Sequence, residues 1–271
     1  MQRLLTALIA APLAVAAMFL LPPPYFFALC ALLIDWGAVE FVRLARAFAP
    51  KGPIGVLPVL VPLAALVCAA ALHGVTVRPG AWLFGAGLVI SVGFGALVLW
   101  CRTPLAETMA SWGVLAFGLP YFSLPIASLY WIQRSSPWLI FLLCAIVWLG
   151  DSAALYVGKA FGRHRLAPVV SPHKSWEGAA AGFLTGLAAT AVWGFFRQPD
   201  QILPLLAVAA ATSIAAQTGD LVESLIKRSA GVKDSGGVLP GHGGFFDRMD
   251  AMLFGAPVFL VGLWLIGFPG L

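Results

Sequence analysis

The feature that most constrains this chain is a succession of long apolar runs, most of them free of ionisable side chains. A bilayer has a hydrocarbon core about 30 Å thick, which an α-helix crosses in roughly 20 apolar residues. The runs reach that length repeatedly, and they lack the two-residue alternation of a barrel strand. Hydrophobic residues make up 61% of the chain and charged residues only 10%, which excludes a soluble globular domain. The sequence therefore predicts an all-α, polytopic integral membrane protein.

The apolar runs, bounded by charge, proline or glycine, predict about nine transmembrane helices. They lie at about residues 4–21, 25–42, 54–72, 81–100, 111–132, 138–157, 178–196, 202–221 and 251–268. We interpret residues 1–135, with helices one to five, as a scaffold, and residues 136–271, with helices six to nine, as the part that carries the catalytic motifs. An alternative for the first run is a cleaved signal peptide, which leaves the orientation of the later helices unchanged.

The basic residues predict which way the helices run. With the amino terminus inside, thirteen Lys and Arg residues fall on the inner side, and only Arg78, Arg134 and Arg197 fall on the outer side. Because cytoplasmic loops are enriched in Lys and Arg, this asymmetry predicts an odd number of helices. The excess of basic residues on the inner side then explains the net charge of +5, and no nucleic-acid partner is expected.

Helix two carries two carboxylates, Asp35 and Glu40, which are costly at membrane depth and therefore hint at function. Glu40 lies close to the inner end of the helix, where Arg43 and Arg46 follow it at i+3 and i+6. The sequence favours a local ion pair for Glu40.

The loop that begins at Asp151 ends in Lys174 and Ser175, directly before helix seven. A helix amino terminus with free N–H groups, a hydroxyl and an adjacent lysine is suited to bind phosphate. A basic loop with an ordinary helix cap is the alternative. Within helix seven, Gly178, Gly182 and Gly186 repeat every four residues, which predicts a face for close helix packing.

Residues 217–250 hold nine of the 27 Asp, Glu, Lys and Arg residues of the chain. Asp220, Glu223 and Lys227 lie at i, i+3 and i+7, so they share a helical face, and a plain salt-bridge ladder would also fit that pattern. Two glycine-rich turns follow, over residues 233–237 and 240–244, and they allow backbone N–H groups to approach an anion. Asp247 and Asp250 come next, where helix nine begins. Oxygen ligands beside basic residues and glycine turns suit Mg²⁺ with a phosphorylated nucleotide.

The two charged regions resemble the CDP-diacylglycerol synthases, also called phosphatidate cytidylyltransferases. The similarity is carried by Ser224-x-Ile226-Lys227-Arg228, Lys233-Asp234-x-Gly236, Leu239-Pro240-x-His242-Gly243-Gly244-x-x-Asp247-Arg248-x-Asp250 and, earlier, Ser171-Pro172, Lys174-Ser175 and Glu177-Gly178. These motifs cover about the last 120 residues, and the first 135 match only as apolar spans.

The resemblance implies transfer of CMP from CTP to phosphatidic acid, giving CDP-diacylglycerol and pyrophosphate, by Mg²⁺-assisted in-line attack of the lipid phosphate. It implies a bacterial-type cytoplasmic (inner) membrane location, with the active site on the cytoplasmic side. The residues predicted to be catalytic are Asp220, Asp247, Lys227, Arg248 and Asp250, with Asp220 and Asp247 as the ligands of Mg²⁺. The residues predicted to bind substrate are Lys174, Ser175, Glu223, Ser224, Arg228, Lys233, Asp234, His242, Gly243, Gly244 and Asp151. A second, monovalent cation and a homodimer stay open.

Other functions are compatible with the residues alone. Another inner-face, Mg²⁺-dependent lipid phosphotransferase, such as a lipid-linked phosphosugar transferase, or a CTP-dependent polyprenol kinase would also place aspartates and Mg²⁺ at the inner face. A transporter for an anionic metabolite would use intramembrane charge at the bilayer centre. The clustering of the carboxylates at one interface argues against the transporter.

Overall fold

The computed structural model describes residues 12–73, 92–236 and 243–270. The helices are α1 (Pro23–Ala45), α2 (Leu57–His73), α3 (Leu105–Ser135), α4 (Pro137–Cys144), α5 (Gly150–Phe161), α6 (Trp176–Arg197), α7 (Ile202–Ser229) and α8 (Phe246–Leu265). Residues 12–20 and 92–100 are also helical. A π-helical turn, Ala145–Leu149, joins α4 to α5, and the two helices form one span. Short 3₁₀ turns, Pro53–Val56 and Pro199–Gln201, precede α2 and α7.

Seven helices within the described ranges are long and apolar enough to cross a bilayer, which establishes a polytopic membrane protein. They are Pro23–Ala45, Pro53–Ala71, Leu105–Ser135, Pro137–Phe161, Trp176–Arg197, Pro199–Ser229 and Phe246–Leu265. Each coincides with one of the predicted runs. The predicted first and fourth runs, residues 4–21 and 81–100, fall partly outside the described residues, and the count of nine stays a prediction.

The described chain is mostly helical, as predicted, and a small antiparallel hairpin that the sequence did not predict lies between α5 and α6. Its strands are β1 (Arg165–Ala167) and β2 (Ser171–Ser175). Strands this short contain too few residues to show an alternating pattern in the sequence. Glu177 holds the start of the hairpin, because its carboxylate accepts hydrogen bonds from the backbone N–H groups of Arg163 and His164 at 3.2 and 3.3 Å.

The glycine repeat of α6 packs against α5, as predicted. A Cβ atom at Gly182 would lie 2.8 Å from the carbonyl oxygen of Gly150, and one at Gly178 would lie 2.6 Å from that of Ala154. Both distances are too short for real atoms, so α6 can approach α5 this closely only without side chains. This approach places the beginning of α6 beside the end of α5, where the hairpin emerges.

A Gly182→Val substitution is expected to lower the free energy of unfolding by about 1–3 kcal/mol, because a side chain would push the two backbones apart. Thermal unfolding of the protein in detergent measures the effect. Gly113→Ala is the matched control, since a Cβ there meets nothing within 4 Å and alanine favours a helix. Equal losses of stability in the two variants would contradict the packing role.

The amino-terminal helices pack against the beginning of α8 through aromatic rings. Phe41 of α1 and Phe122 of α3 lie 6.1 and 5.7 Å from the ring of Phe246, measured between ring centroids. Phe246 itself is fully buried. The first half of the chain is therefore joined to the second half at the residue that precedes Asp247.

Candidate functional site

A cavity of about 480 Å³ lies where α5, the hairpin, α6, α7 and α8 meet. Seven of the predicted site residues line it: Asp151, Lys174, Ser175, Asp220, Asp247, Arg248 and Asp250. A second cavity, of about 350 Å³, lies at the other end of α6, and the described residues that line it include Arg197 but no carboxylate. Of these two cavities in the described part of the chain, the first combines clustered acidic and basic groups, so it is the candidate site.

Three carboxylates form a compact group at this cavity. Asp220, Glu223 and Asp250 each offer one oxygen, and these oxygens lie within 4.8 Å of one another. Asp220 and Glu223 are one turn apart on α7, and Asp250 faces them from α8. Gly219 allows this approach, because a Cβ there would lie 2.5 Å from the carbonyl oxygen of Asp250.

The carboxylate group fits a hard divalent cation such as Mg²⁺. All of its donors are oxygens, the ligand type that Mg²⁺ prefers. Oε1 of Glu223, a member of this group, is buried and has no hydrogen-bond partner among the described residues. A buried acceptor of this kind calls for an ion or a donor.

Asp247 has a different environment. Its Oδ1 accepts a hydrogen bond from Nζ of Lys227 at 2.6 Å. Its Oδ2 accepts hydrogen bonds from the backbone N–H groups of Ser235 at 3.2 Å and Gly244 at 2.8 Å. Both oxygens are therefore already engaged by groups of the protein.

The structure accordingly groups Asp220 with Asp250, where the sequence predicted Asp220 with Asp247 as the metal pair. Asp247 and Asp250 are three residues apart in one helical turn, and the spacing alone gave no reason to prefer either. In the folded chain Asp250, and not Asp247, lies in the carboxylate group with Asp220, and a metal bond from Asp247 stays a prediction.

Two of the three lysines predicted for the site are paired with the carboxylates. Nζ of Lys227 lies 2.7 Å from Glu223 and 2.6 Å from Asp247, and its side chain is only 11% exposed. Nζ of Lys174 lies 2.5 Å from Oδ2 of Asp220. Lys227 thus connects α7 with α8 inside the protein, whereas Lys174 reaches Asp220 from the hairpin.

Some of the remaining predicted residues bind neighbouring parts of the backbone, and others lie on the surface. Arg228 donates to the carbonyl oxygens of Val170 at 3.4 Å and Val232 at 3.1 Å, so it ties the hairpin turn to the chain after α7. Ser175 lies at the beginning of α6, as predicted, and its buried hydroxyl caps the helix by accepting a bond from the Gly178 N–H at 3.2 Å.

Others of the predicted residues have simpler surroundings. Lys233 and Asp234 are exposed, and Ser224 is half-buried. Gly243 has a φ of +76°, a conformation that glycine adopts readily. His242 lies outside the described residues.

The prediction of a local ion pair for Glu40 is wrong. Glu40 is fully buried, and its Oε2 accepts hydrogen bonds from the hydroxyl of Ser235 at 2.8 Å and the N–H of Phe246 at 2.9 Å. Arg46 donates instead to the carbonyl oxygens of Pro50 and Gly52. No signal in the sequence could have found this contact, because the partners are about 200 positions away along the chain.

Sequence reasoning also missed Gln217, which lines the cavity one turn before Asp220. Its side-chain amide donates to the carbonyl oxygen of Ala179 at 3.2 Å, and this bond joins α7 to α6. A glutamine one turn before Asp220, on the same helix, is the signal that could have identified it.

Comparison with known proteins gives matches over nearly the whole chain. Residues 1–266 match the sequence profile of the cytidylyltransferase family. The chain is 34% identical to the phosphatidate cytidylyltransferase of Pseudomonas aeruginosa, over 98% of this chain and 97% of that protein. It is 30% identical to the Haemophilus influenzae protein of the same name, over 95% and 96%. A Bacillus subtilis protein of that name is 43% identical over 46% of this chain and 48% of its own length.

Proposed function

This chain belongs to the cytidylyltransferase family, and on that basis we propose that it transfers CMP from CTP to phosphatidate, giving CDP-diacylglycerol and pyrophosphate. The family that the sequence motifs predicted is confirmed. The observation that carries the choice of substrates is the match, over nearly the full length of both chains, to relatives named for this activity.

The site has the chemistry that this reaction needs. An oxygen of the phosphatidate phosphate attacks the α-phosphorus of CTP, and the bond from that phosphorus to the pyrophosphate oxygen breaks. Two polyanions must meet, so the main requirement is neutralisation of phosphate charge, and no protein nucleophile is needed. The attacking phosphate is already largely ionised near neutral pH, since its second pKa is about 6, and a strong general base is not required.

Asp220, Glu223 and Asp250 would hold Mg²⁺, and Asp151 lies at the same cavity. Bound there, Mg²⁺ supplies positive charge to the triphosphate and polarises its phosphoryl oxygens. Lys174 and Arg248 line the cavity and would bind phosphate oxygens, which orients the two substrates for attack. Lys227 keeps Glu223 and Asp247 in place from inside the protein.

We propose that the site faces the cytoplasm of a bacterial cytoplasmic membrane. The second half of the span formed by α4 and α5, the beginning of α6, the second half of α7 and the beginning of α8 all lie at the cavity. The sequence assigns the loops at these helix ends to the inner side, by the excess of Lys and Arg. CTP would then enter from the cytoplasm, while the acyl chains of phosphatidate stay in the inner leaflet. A homodimer and a second, monovalent cation stay predictions.

Two labels on CTP test the proposed reaction against its closest alternative. The purified protein is incubated with Mg²⁺, phosphatidate or polyprenol, and CTP labelled with ³²P at either the α- or the γ-phosphate. We expect α-label, and no γ-label, to enter the lipid extract, and only when phosphatidate is present. Transfer of γ-label to polyprenol would instead identify a CTP-dependent kinase, and no transfer to any lipid would contradict the proposal.

A further inference from the structure

Glu40 is a polar contact between the predicted scaffold and the candidate site, beside the aromatic contacts of Phe246. It lies on α1, far from the motifs in the chain, and none of its surface is exposed. One of its oxygens, Oε2, accepts both the Ser235 hydroxyl and the Phe246 N–H. Ser235 precedes residues 237–242, and Phe246 follows them. Glu40 therefore binds both flanks of this segment at once.

Glu40 is buried without a neighbouring cation among the described residues, which is unusual for a carboxylate. Within the described part of the chain, no Lys, Arg or His lies within ion-pair distance of its carboxylate. Its Oε1 is buried and has no hydrogen-bond partner among those residues. A buried carboxylate without a counter-charge lowers the stability of the fold. If α1 only had to pack, an apolar residue at position 40 would therefore give a more stable protein.

The fit around Glu40 is too close for larger residues. A Cβ atom at Gly236 would lie 2.7 Å from Oε1 of Glu40, and a Cβ at Gly244 would overlap both Oε2 and the Ser235 hydroxyl. The Cα of Gly244 lies 3.6 Å from the Cβ position of Gly236. The two flanks thus meet on the carboxylate of Glu40 because glycines stand at the points of contact.

Two steps lead from Glu40 to the site. Ser235 donates its hydroxyl to Glu40 and its backbone N–H to Asp247, and the Gly244 N–H binds the same oxygen of Asp247. Phe246, whose N–H binds Glu40, is the first residue of α8. Movement of Glu40 would therefore move Asp247 and the helix that carries Asp250.

We propose that Glu40 is a positioning residue for the transfer reaction. It fixes residues 235–236 and 244–246 so that the beginning of α8 stays in register with the carboxylates of α7. This inference rests on the proposed function for its kinetic consequences, but the bonds themselves do not depend on it. Glu40 acts through Ser235 and Phe246 and does not touch substrate.

The experiment combines hydrogen–deuterium exchange with steady-state kinetics on the full-length protein in nanodiscs. The variants are Glu40→Leu, Glu40→Gln, Ser235→Ala and the double variant that combines Glu40→Leu with Ser235→Ala. Asp35→Asn is the matched control: it is a carboxylate on the same helix with a buried oxygen that has no partner among the described residues. Exchange is measured without CTP or phosphatidate, on peptides that cover residues 235–246.

Glu40→Leu is expected to speed exchange in residues 235–246. It should also lower kcat by roughly ten- to a hundredfold, because small displacements of catalytic groups have effects of that size. The KM for CTP should change much less than kcat. Glu40→Gln keeps an acceptor oxygen and should stay within about threefold of the wild type. Ser235→Ala should lower kcat in the wild type but have little further effect in Glu40→Leu, as expected for residues that act through one another.

Wild-type exchange over residues 235–246 in Glu40→Leu would overturn the proposal, as would a loss of kcat no larger than that of Asp35→Asn. Should Glu40→Leu fail to fold, Ser235→Ala decides, because it removes one bond and leaves the buried carboxylate in place; unchanged exchange and kcat in that variant would reject the positioning role. If the wild type transfers no CMP, the proposed function fails, and exchange alone then decides whether Glu40 holds the segment.

Discussion

Replacing Asp220 with asparagine is expected to lower the rate of CMP transfer by more than about a hundredfold. Loss of a residue that merely supports a metal ligand lowers affinity or activity by about 10–100-fold, and Asp220 is placed to bind the ion directly. Asparagine keeps the shape of the side chain and removes its charge. The change therefore affects both the carboxylate group with Glu223 and Asp250 and the ion pair with Lys174.

The measurement is the transfer of α-labelled phosphate from CTP to phosphatidate, as a function of Mg²⁺ concentration. Asp200→Asn is the matched control: it is exposed and lies just before α7 begins, about 30 Å from Asp220 at the helical rise. It should leave the rate unchanged. An Asp220→Asn protein that folds normally and keeps more than a tenth of the activity would contradict the metal assignment.

The same assay separates the two candidate partners of Asp220. Asp250→Asn should raise the Mg²⁺ concentration needed for half-maximal rate more than Asp247→Asn does, because the oxygens of Asp247 are engaged by Lys227 and two backbone N–H groups. The reverse order would restore the pair that the sequence predicted.

Much of the architecture follows from local patterns in the sequence. Apolar length specifies the membrane spans because a bilayer leaves backbone groups no partner outside a helix or a barrel. The repeat of Gly178, Gly182 and Gly186 predicts a packed face because residues four apart lie on the same side of one helix. In the same way, the spacing of Asp220 and Glu223 places them on one face before any other helix is considered.

The features that the sequence could not supply depend on contacts between distant segments. Glu40 has two arginines within two turns, yet its partners belong to the other half of the chain. Asp247 and Asp250 are equivalent by spacing. The folded chain distinguishes them, because Asp247 binds Lys227 and two backbone N–H groups, whereas Asp250 meets α7 at Gly219. Local spacing constrains one helix at a time, whereas burial and pairing are decided by which helices meet.

Replacing Lys227 with methionine is expected to lower the free energy of unfolding by about 3–5 kcal/mol, the usual effect of removing one partner from a buried ion pair. The side chains of Glu223 and Asp247 are 1% and 10% exposed, so water cannot replace the ammonium group. Two carboxylates would then remain close together without the cation that lies between them. The activity should fall as well, because the same carboxylates adjoin the metal group.

Denaturant or thermal unfolding in detergent measures the loss, with Lys159→Met, an exposed lysine of α5, as the control. Adding Asp247→Asn to Lys227→Met removes one of the two carboxylates that the lysine had paired. This should recover part of the stability, while CMP transfer stays low. Recovery of stability without recovery of activity would separate the two roles of Lys227, since burial of charge governs folding and the arrangement of the carboxylates governs catalysis. Equal stability of Lys227→Met and Lys159→Met would show that the pairing contributes nothing to the fold and would contradict this structural role of Lys227.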